Sequence, residues 1–284
     1  MSAMFPPVLR QSLFATFALA AMAQTVAAGA SGWDGDDKSG IRLIAGSNTT
    51  EAAGSVLRAG VEIRLATGWK TYWRYPGDSG VPPHFDFEKS DNVKSVNLSW
   101  PAPQRITDSE GVTIGYKDAV VFPLKIEPKD ATKPVVLRVK LDYAVCEKLC
   151  IPAQGQAELT LKSGHAETNG VIAAAEKKVP HANPLGANTP FSIKAFRRDD
   201  SAKPARVLVD VASPGGAPVT LFAEGPASDW ALPIPEETEG APAGLQRFSF
   251  ALDGMPPGKS ADGANIKLTA VSGQDAIETT IRLD

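Results

Sequence analysis

The feature that most constrains this chain is a two-residue rhythm of apolar and polar side chains. It runs through Val61–Trp69 (VEIRLATGW), Val135–Val145 (VVLRVKLDYAV) and Ala157–Ser163 (AELTLKS). Successive side chains of a strand point to opposite faces, so this rhythm suits antiparallel strands with one buried face and one wet face. Turn clusters such as YPGDSGVPP and TDSEG separate the runs, and 25 glycines with 23 prolines punctuate the whole. Short strands broken at this spacing predict an all-β chain folded as β-sandwich.

The rhythm breaks once, at Asn169–Gly186 (NGVIAAAEKKVPHANPLG). Alanine-rich sequence with lysines toward its end predicts a short helix that Pro180 terminates. We read it as a connector packed between domains, in preference to a partner-docking helix. Beyond it, FSIKAFRR, ARVLVDVAS, PVTLFAEG, LQRFSFAL, NIKLTAVSG and AIETTIRLD give about six further strands between Pro190 and Asp284. The carboxylate run PEETEG (Pro235–Gly240) reads as a solvated loop. A chain of 284 residues, 43% hydrophobic, has material for two cores. The expected organisation is a first sandwich over 38–165, a helical connector over 166–189 and a second sandwich over 190–284.

At the N-terminus, Arg10 precedes the apolar stretch LFATFALAAMA, with small-residue cleavage options at Ala21–Ala23 and Ala28–Ala30. Basic, apolar and small residues in that order predict a secretory signal peptide within residues 1–30, cleaved near 23–30. Its apolar core falls short of the roughly 20 residues that a spanning helix needs, and no later stretch approaches that length. An exported chain with no membrane span, in a periplasm that permits disulfides, is the expectation. The formal net charge is −3, and the lysines and arginines are scattered. Nucleic acid, which calls for a basic stripe, is excluded as an expected partner.

Two cysteines, Cys146 and Cys150, stand in YAVCEKLCIPAQG. In one straight strand their Cα atoms would lie roughly 13 Å apart, beyond the limit of about 7 Å for a disulfide. They can pair only across a bend. The long alternating run ends near Val145, and Pro152 and Gly155 precede the next one, which predicts a hairpin with one cysteine on each side of its tip. Continuing the register of Arg138, Lys140 and Asp142 puts Cys146 on the polar face, where chemistry can reach it.

Closing about five residues, a disulfide here contributes roughly 2 kcal/mol in the chain-entropy picture, against about 4.7 kcal/mol for a hundred-residue loop. That is a weak place for a staple. Spacing and compartment still support a redox pair and a structural disulfide equally. A metal clip has less behind it, because His84, His165 and His181 show no ligand spacing to one another or to the cysteines. Glu147 and Lys148 act on a thiol in opposite senses. Neither GxSxG, a glycine-rich phosphate loop nor HExxH occurs.

Three segments carry a resemblance: Gly68–Gly80 (GWKTYWRYPGDSG), Gly115–Ile126 (GYKDAVVFPLKI) and Leu141–Leu161 (LDYAVCEKLCIPAQGQAELTL). Together they resemble the N-terminal periplasmic domain of the thiol:disulfide interchange protein DsbD and of its relative ScsB, over about residues 40 to 163. The resemblance implies an immunoglobulin-like sandwich whose cysteine pair takes electrons from a membrane domain and passes them to periplasmic thioredoxin-like proteins. The layout of two sandwiches with an alanine-rich connector looks like the ScsB branch.

Carried over on matching positions, Cys146 and Cys150 are the redox pair, with Cys150 the sulfur that meets the partner. Tyr72 and Trp73 match the aromatic segment beside that pair. Thr107–Gly111 and Tyr116 fall where a cap loop covers it, with Ser109 where the family presents a phenylalanine. The cysteines are also closer together than in DsbD. No transmembrane channel and no thioredoxin-like domain follow in this sequence, so the resemblance implies a separate membrane electron donor. The exchange itself calls for no cofactor and no metal. The competing expectation is a non-catalytic binding or assembly module with a structural disulfide, serving copper handling or cytochrome c maturation.

Overall fold

The structure, a computed structural model, describes residues 29–47, 49–51, 54–76, 80–108, 111–161 and 168–284. Residues 1–28, most of the stretch read as a signal peptide, lie outside it, as do Ser109 and His165. The alternating segments form antiparallel strands. One sheet runs in the order Asp34–Gly35, Ser39–Ala45, Gly54–Leu65, Ala119–Pro128 and Val93–Leu98, with Thr49–Glu51 paired to Gly54–Leu65. The sheet packed on it runs Cys150–Leu161, Val135–Cys146, Lys70–Tyr72, Gly111–Lys117 and Gln104–Asp108, with His84–Asp86 paired to Val135–Cys146.

The strand Val135–Cys146 shows how the pattern becomes packing. Val135, Leu137, Val139, Leu141, Tyr143 and Val145 are buried, while Arg138, Lys140 and Asp142 face outward. Each such apolar side chain contributes about 1.5–3 kcal/mol on full burial, which fixes the register, because a one-residue slip would expose all six.

The helix forms at Asn169–Lys177, ended by the Lys178 cap two residues before Pro180. Its buried Ile172 and Ala175 face the first sandwich. Arg58 donates to both Glu176 oxygens at 2.9 and 2.5 Å and to Asn169 Oδ1 at 2.7 Å, tying the helix to the Gly54–Leu65 strand.

Two further sheets follow. One orders His181–Ala182, Asp275–Arg282, Asn265–Ser272 and Thr220–Glu224. The other orders Ser192–Asp199, Arg206–Ala212, Gln246–Ala251 and Glu236–Thr238. The first of these sheets therefore reaches back to His181, inside the stretch read as connector, by a parallel pairing with Asp275–Arg282. Glu236–Thr238, expected to be a solvated loop, is instead a short edge strand on Gln246–Ala251. Its outward carboxylates stay exposed while its backbone completes a ladder, and charge at a sheet edge discourages further pairing.

The cores of the two halves are continuous. Trp73 of the first half and Phe222 of the second are fully buried, with ring centroids 5.8 Å apart. Among the described residues, no helix is long and apolar enough to cross a membrane.

Candidate functional site

The strands Val135–Cys146 and Cys150–Leu161 pair residue for residue over twelve positions, ending with Cys146 directly opposite Cys150. Glu147–Leu149 make the bend between them. The sulfurs are bonded and the Cα atoms lie 4.1 Å apart. The two cysteines differ sharply in exposure. Cys150 is exposed beside Leu149, which is 78% exposed at the tip, whereas Cys146 is only 2% exposed.

That burial corrects the expectation of an accessible Cys146. Its phase is as read, on the face of Arg138, Lys140 and Asp142, but this end of the face is covered. The three-residue strand Lys70–Tyr72 pairs with the last two residues of Val135–Cys146, and Tyr72 lies over Ala144 and Cys146. The phase of one strand cannot report a side chain supplied by another.

Tyr72, itself 3% exposed, sets its hydroxyl oxygen 2.9 Å from Cys146 Sγ and 3.0 Å from Cys150 Sγ. Disulfide sulfurs carry no proton, so the phenol donates. Burial and, after it, the negative charge of Asp108 raise the Tyr72 hydroxyl above its usual pKa, which keeps that proton in place. Gly80 closes over the ring: a Cβ there would fall 2.5 Å from Tyr72 Cε1 and 2.6 Å from Cδ1, closer than atoms tolerate.

Lys70 stands directly opposite Cys146 in the sheet, and its side chain is 5% exposed. The ammonium donates to Asp108 Oδ2 at 2.5 Å. Thr71, between Lys70 and Tyr72, donates from Oγ1 to Ala144 O at 2.9 Å. The site thus holds a disulfide between one exposed and one covered cysteine, a phenol proton over both sulfurs, and a buried ammonium paired with a partly exposed carboxylate beside the covered one. Such an arrangement can accept attack at the exposed cysteine and receive negative charge on the other.

Of the remaining residues singled out in the sequence, Trp73 and Tyr116 are brought elsewhere. Trp73 follows Tyr72 and so points to the opposite face, into the core against Phe222. Tyr116 pairs with Thr71, and its ring meets Phe122 edge-on at 5.6 Å. Its hydroxyl donates to Pro101 O at 2.8 Å and, fully buried, is raised well above its usual pKa by desolvation. Neither covers the disulfide.

Sequence reasoning passed over Lys70 and Asp108. The alternation in WKTYW could have found Lys70, since it shares a face with Tyr72. Asp108 sits in the segment read as a cap loop, but at the end of the strand Gln104–Asp108. Among the described residues, no group of three or more histidine, cysteine, aspartate or glutamate side chains is placed to hold a metal ion.

Residues 42–162 match the family described as "Thiol:disulfide interchange protein DsbD, N-terminal". A search of curated proteins finds no match. Among solved structures, the N-terminal periplasmic domain of ScsB from Proteus mirabilis is similar, with a TM-score of 0.70 and 22% identity. That likeness covers 90% of this chain and 98% of the other, so the fold is shared across most of both. Residues 42–162, which include the cysteine hairpin, are thus similar to DsbD N-terminal domains.

Proposed function

We propose that this is a periplasmic thiol:disulfide interchange protein that passes electrons between a separate membrane donor and thioredoxin-like partners through Cys146 and Cys150. Its organisation is an export signal within residues 1–30, a redox sandwich over 38–165, a helical connector over 166–189 and a second sandwich over 190–284. The observation that carries the reading is the inequality of the two cysteines beneath one phenol: Cys150 exposed, Cys146 covered by Tyr72.

In the dithiol form, the Cys150 thiolate attacks one sulfur of a partner disulfide, forming a mixed disulfide and releasing one partner thiolate. The Cys146 thiolate then attacks Cys150 Sγ, the mixed disulfide breaks, and the second partner thiolate leaves. Two electrons go to the partner, two protons follow, and this chain keeps its disulfide. In reverse, a donor thiolate attacks Cys150 Sγ and Cys146 leaves as thiolate. The Tyr72 hydroxyl then donates to that leaving sulfur, and Lys70 offers it positive charge. Hydrogen bonds to charged groups contribute about 1.5–3 kcal/mol, more than the same donor gives to a neutral sulfur.

Single-cysteine variants test the assignment. Cys146→Ser, which leaves the exposed cysteine, is expected to displace thionitrobenzoate from a thioredoxin-like protein that lacks its resolving cysteine and carries that group on its remaining one, leaving a stable mixed disulfide. Cys150→Ser is expected to trap little. Equal trapping by both variants, or by neither, would contradict the proposal.

A further inference from the structure

The side chains of the three residues after Tyr72 all reach the second sandwich, while the Trp73 backbone N–H still donates to Ile114 O of the first at 3.0 Å. Trp73 packs its ring on Phe222. Arg74 donates from Nε and Nη2 to the two oxygens of Glu224 at 2.9 and 2.7 Å, and from Nη2 also to Glu278 Oε1. Tyr75 accepts a hydrogen bond from the Leu232 backbone N–H at 2.5 Å. Lys70–Tyr72 itself is a three-residue strand that meets the cysteine hairpin at two positions, Thr71 to Val145 and Lys70 to Cys146, and Gly111–Lys117 at three. The first sandwich holds the strand bearing Tyr72 by a short ladder on each edge, and the second grips the chain just beyond it by an aromatic contact and an ion cluster.

The cluster is built to hold position. The Arg74 guanidinium lies 4.3 Å from the centroid of the Trp73 ring. Burial alone would lower its pKa, but the hydrogen bonds and charges of Glu224 and Glu278 more than reverse that. The two carboxylates come from different strands of one sheet, Thr220–Glu224 and Asp275–Arg282, so one fork-shaped cation spans that sheet. Removing the cation from such a largely buried cluster leaves two carboxylates uncompensated, which makes loss of Arg74 costlier than loss of either glutamate.

We propose that the second sandwich serves as a strut for the redox site, and that Arg74 is the positioning residue which, held by Glu224 and Glu278, keeps the Tyr72 hydroxyl on the two sulfurs. The strut deepens the thiol-exchange reading and rests on it for its purpose. Its physical effect can be measured without any protein partner. A second contact between the halves supplies a control: Arg105 donates to Glu236 at 3.0 and 2.5 Å, but this pair is exposed and lies off the Tyr72 segment.

The test is the second-order rate at which a small monothiol, reduced glutathione, opens the Cys146–Cys150 disulfide of the full chain. Tyr72→Phe sets the reference, an expected slowing of about three- to tenfold, the range of one net hydrogen bond. Arg74→Gln is expected to slow the reaction as far, and to add less than about twofold in the Tyr72→Phe background, since both act through one hydroxyl. Glu236→Gln is expected to leave the rate unchanged.

Should Arg74→Gln fail to fold, as judged by near-ultraviolet circular dichroism, Glu224→Gln decides. It keeps Arg74 paired with Glu278, and a smaller slowing that again vanishes in the Tyr72→Phe background is expected. An unchanged or raised rate, or losses that multiply with Tyr72→Phe, overturns the strut. Failure of the redox reading would appear elsewhere, in partner trapping and in the reduction potential, with these rates unaffected.

Discussion

Lys70 and Cys146 are direct neighbours across two antiparallel strands, and the lysine reaches from there to Asp108, 2.5 Å from its Oδ2. Directly opposed residues in a sheet hold their Cβ atoms about 4.5–5.5 Å apart, so a thiolate formed at Cys146 sits within the field of a nearly buried ammonium. Asp108 opposes that field in part, Tyr72 adds a donor, and Lys117, the register partner of Lys70 on the far side, adds an exposed positive charge.

Replacing Lys70 by methionine keeps the stem and removes the charge. In the dithiol form, the thiolate absorbance assigned to Cys146 in a Cys150→Ser background is expected to appear about one pH unit higher, equivalent to about 1.4 kcal/mol. The sign follows from removing a cation that favours the charged form. Asp108→Asn, which frees the same cation, is expected to move it the other way. A titration unchanged in both variants would show that the pair acts on the fold alone.

The Tyr72 hydroxyl has its pKa raised above the usual value near 10 by burial and by Asp108. It therefore remains a donor from about pH 6 to 9. The ratio of parent to Tyr72→Phe rates in thiol-driven opening of the disulfide should be flat over that window. A ratio that collapses below pH 9 would mean that the phenol ionises where the structure holds it neutral.

Gly80→Ala tests the cover from its outer side. The added methyl has no room above Tyr72, so either the ring or the loop must move. The variant is expected to slow disulfide opening about as much as Tyr72→Phe, with thermal stability lowered by about 1–3 kcal/mol for overpacking. A parent-like rate would place the ring under no constraint from Gly80.

Tyr116, buried in the core with a strongly raised pKa, is a stability group. A raised pKa means that its contribution is fully present below the unfolded value near 10 and is lost as pH climbs through the folded one. Tyr116→Phe is expected to cost about 1 kcal/mol at neutral pH through the lost bond to Pro101 and to soften the fall in stability above pH 10, as measured by urea denaturation. An equally steep fall in the variant would assign alkaline sensitivity elsewhere.

Much of this fold was legible because strands declare themselves in twos. The inward set from Val135 to Val145, the bend between the cysteines and the helix that stops before Pro180 each follow from local sequence alone. What escaped depends on segments meeting from afar. Cys146 is covered by a tyrosine 74 residues earlier in the chain, and Glu236 joins a strand because a neighbouring ladder accepts its backbone. Trp73 and Tyr116 are aromatic like Tyr72, but one step along a strand, or the register of a neighbouring one, sends them into the core. The pairing of Arg74 with Glu224 and Glu278 joins residues 150 and 204 positions apart, with no local trace of it in either segment.

The reduction potential of the Cys146–Cys150 disulfide, measured by equilibration of the full chain with glutathione buffers, tests the central claim most directly. A pair that exchanges with thioredoxin-like partners should lie between about −120 and −270 mV, the span of working oxidoreductases. A value below about −300 mV, resistant to the glutathione pool, would mark the bond as structural and contradict the account.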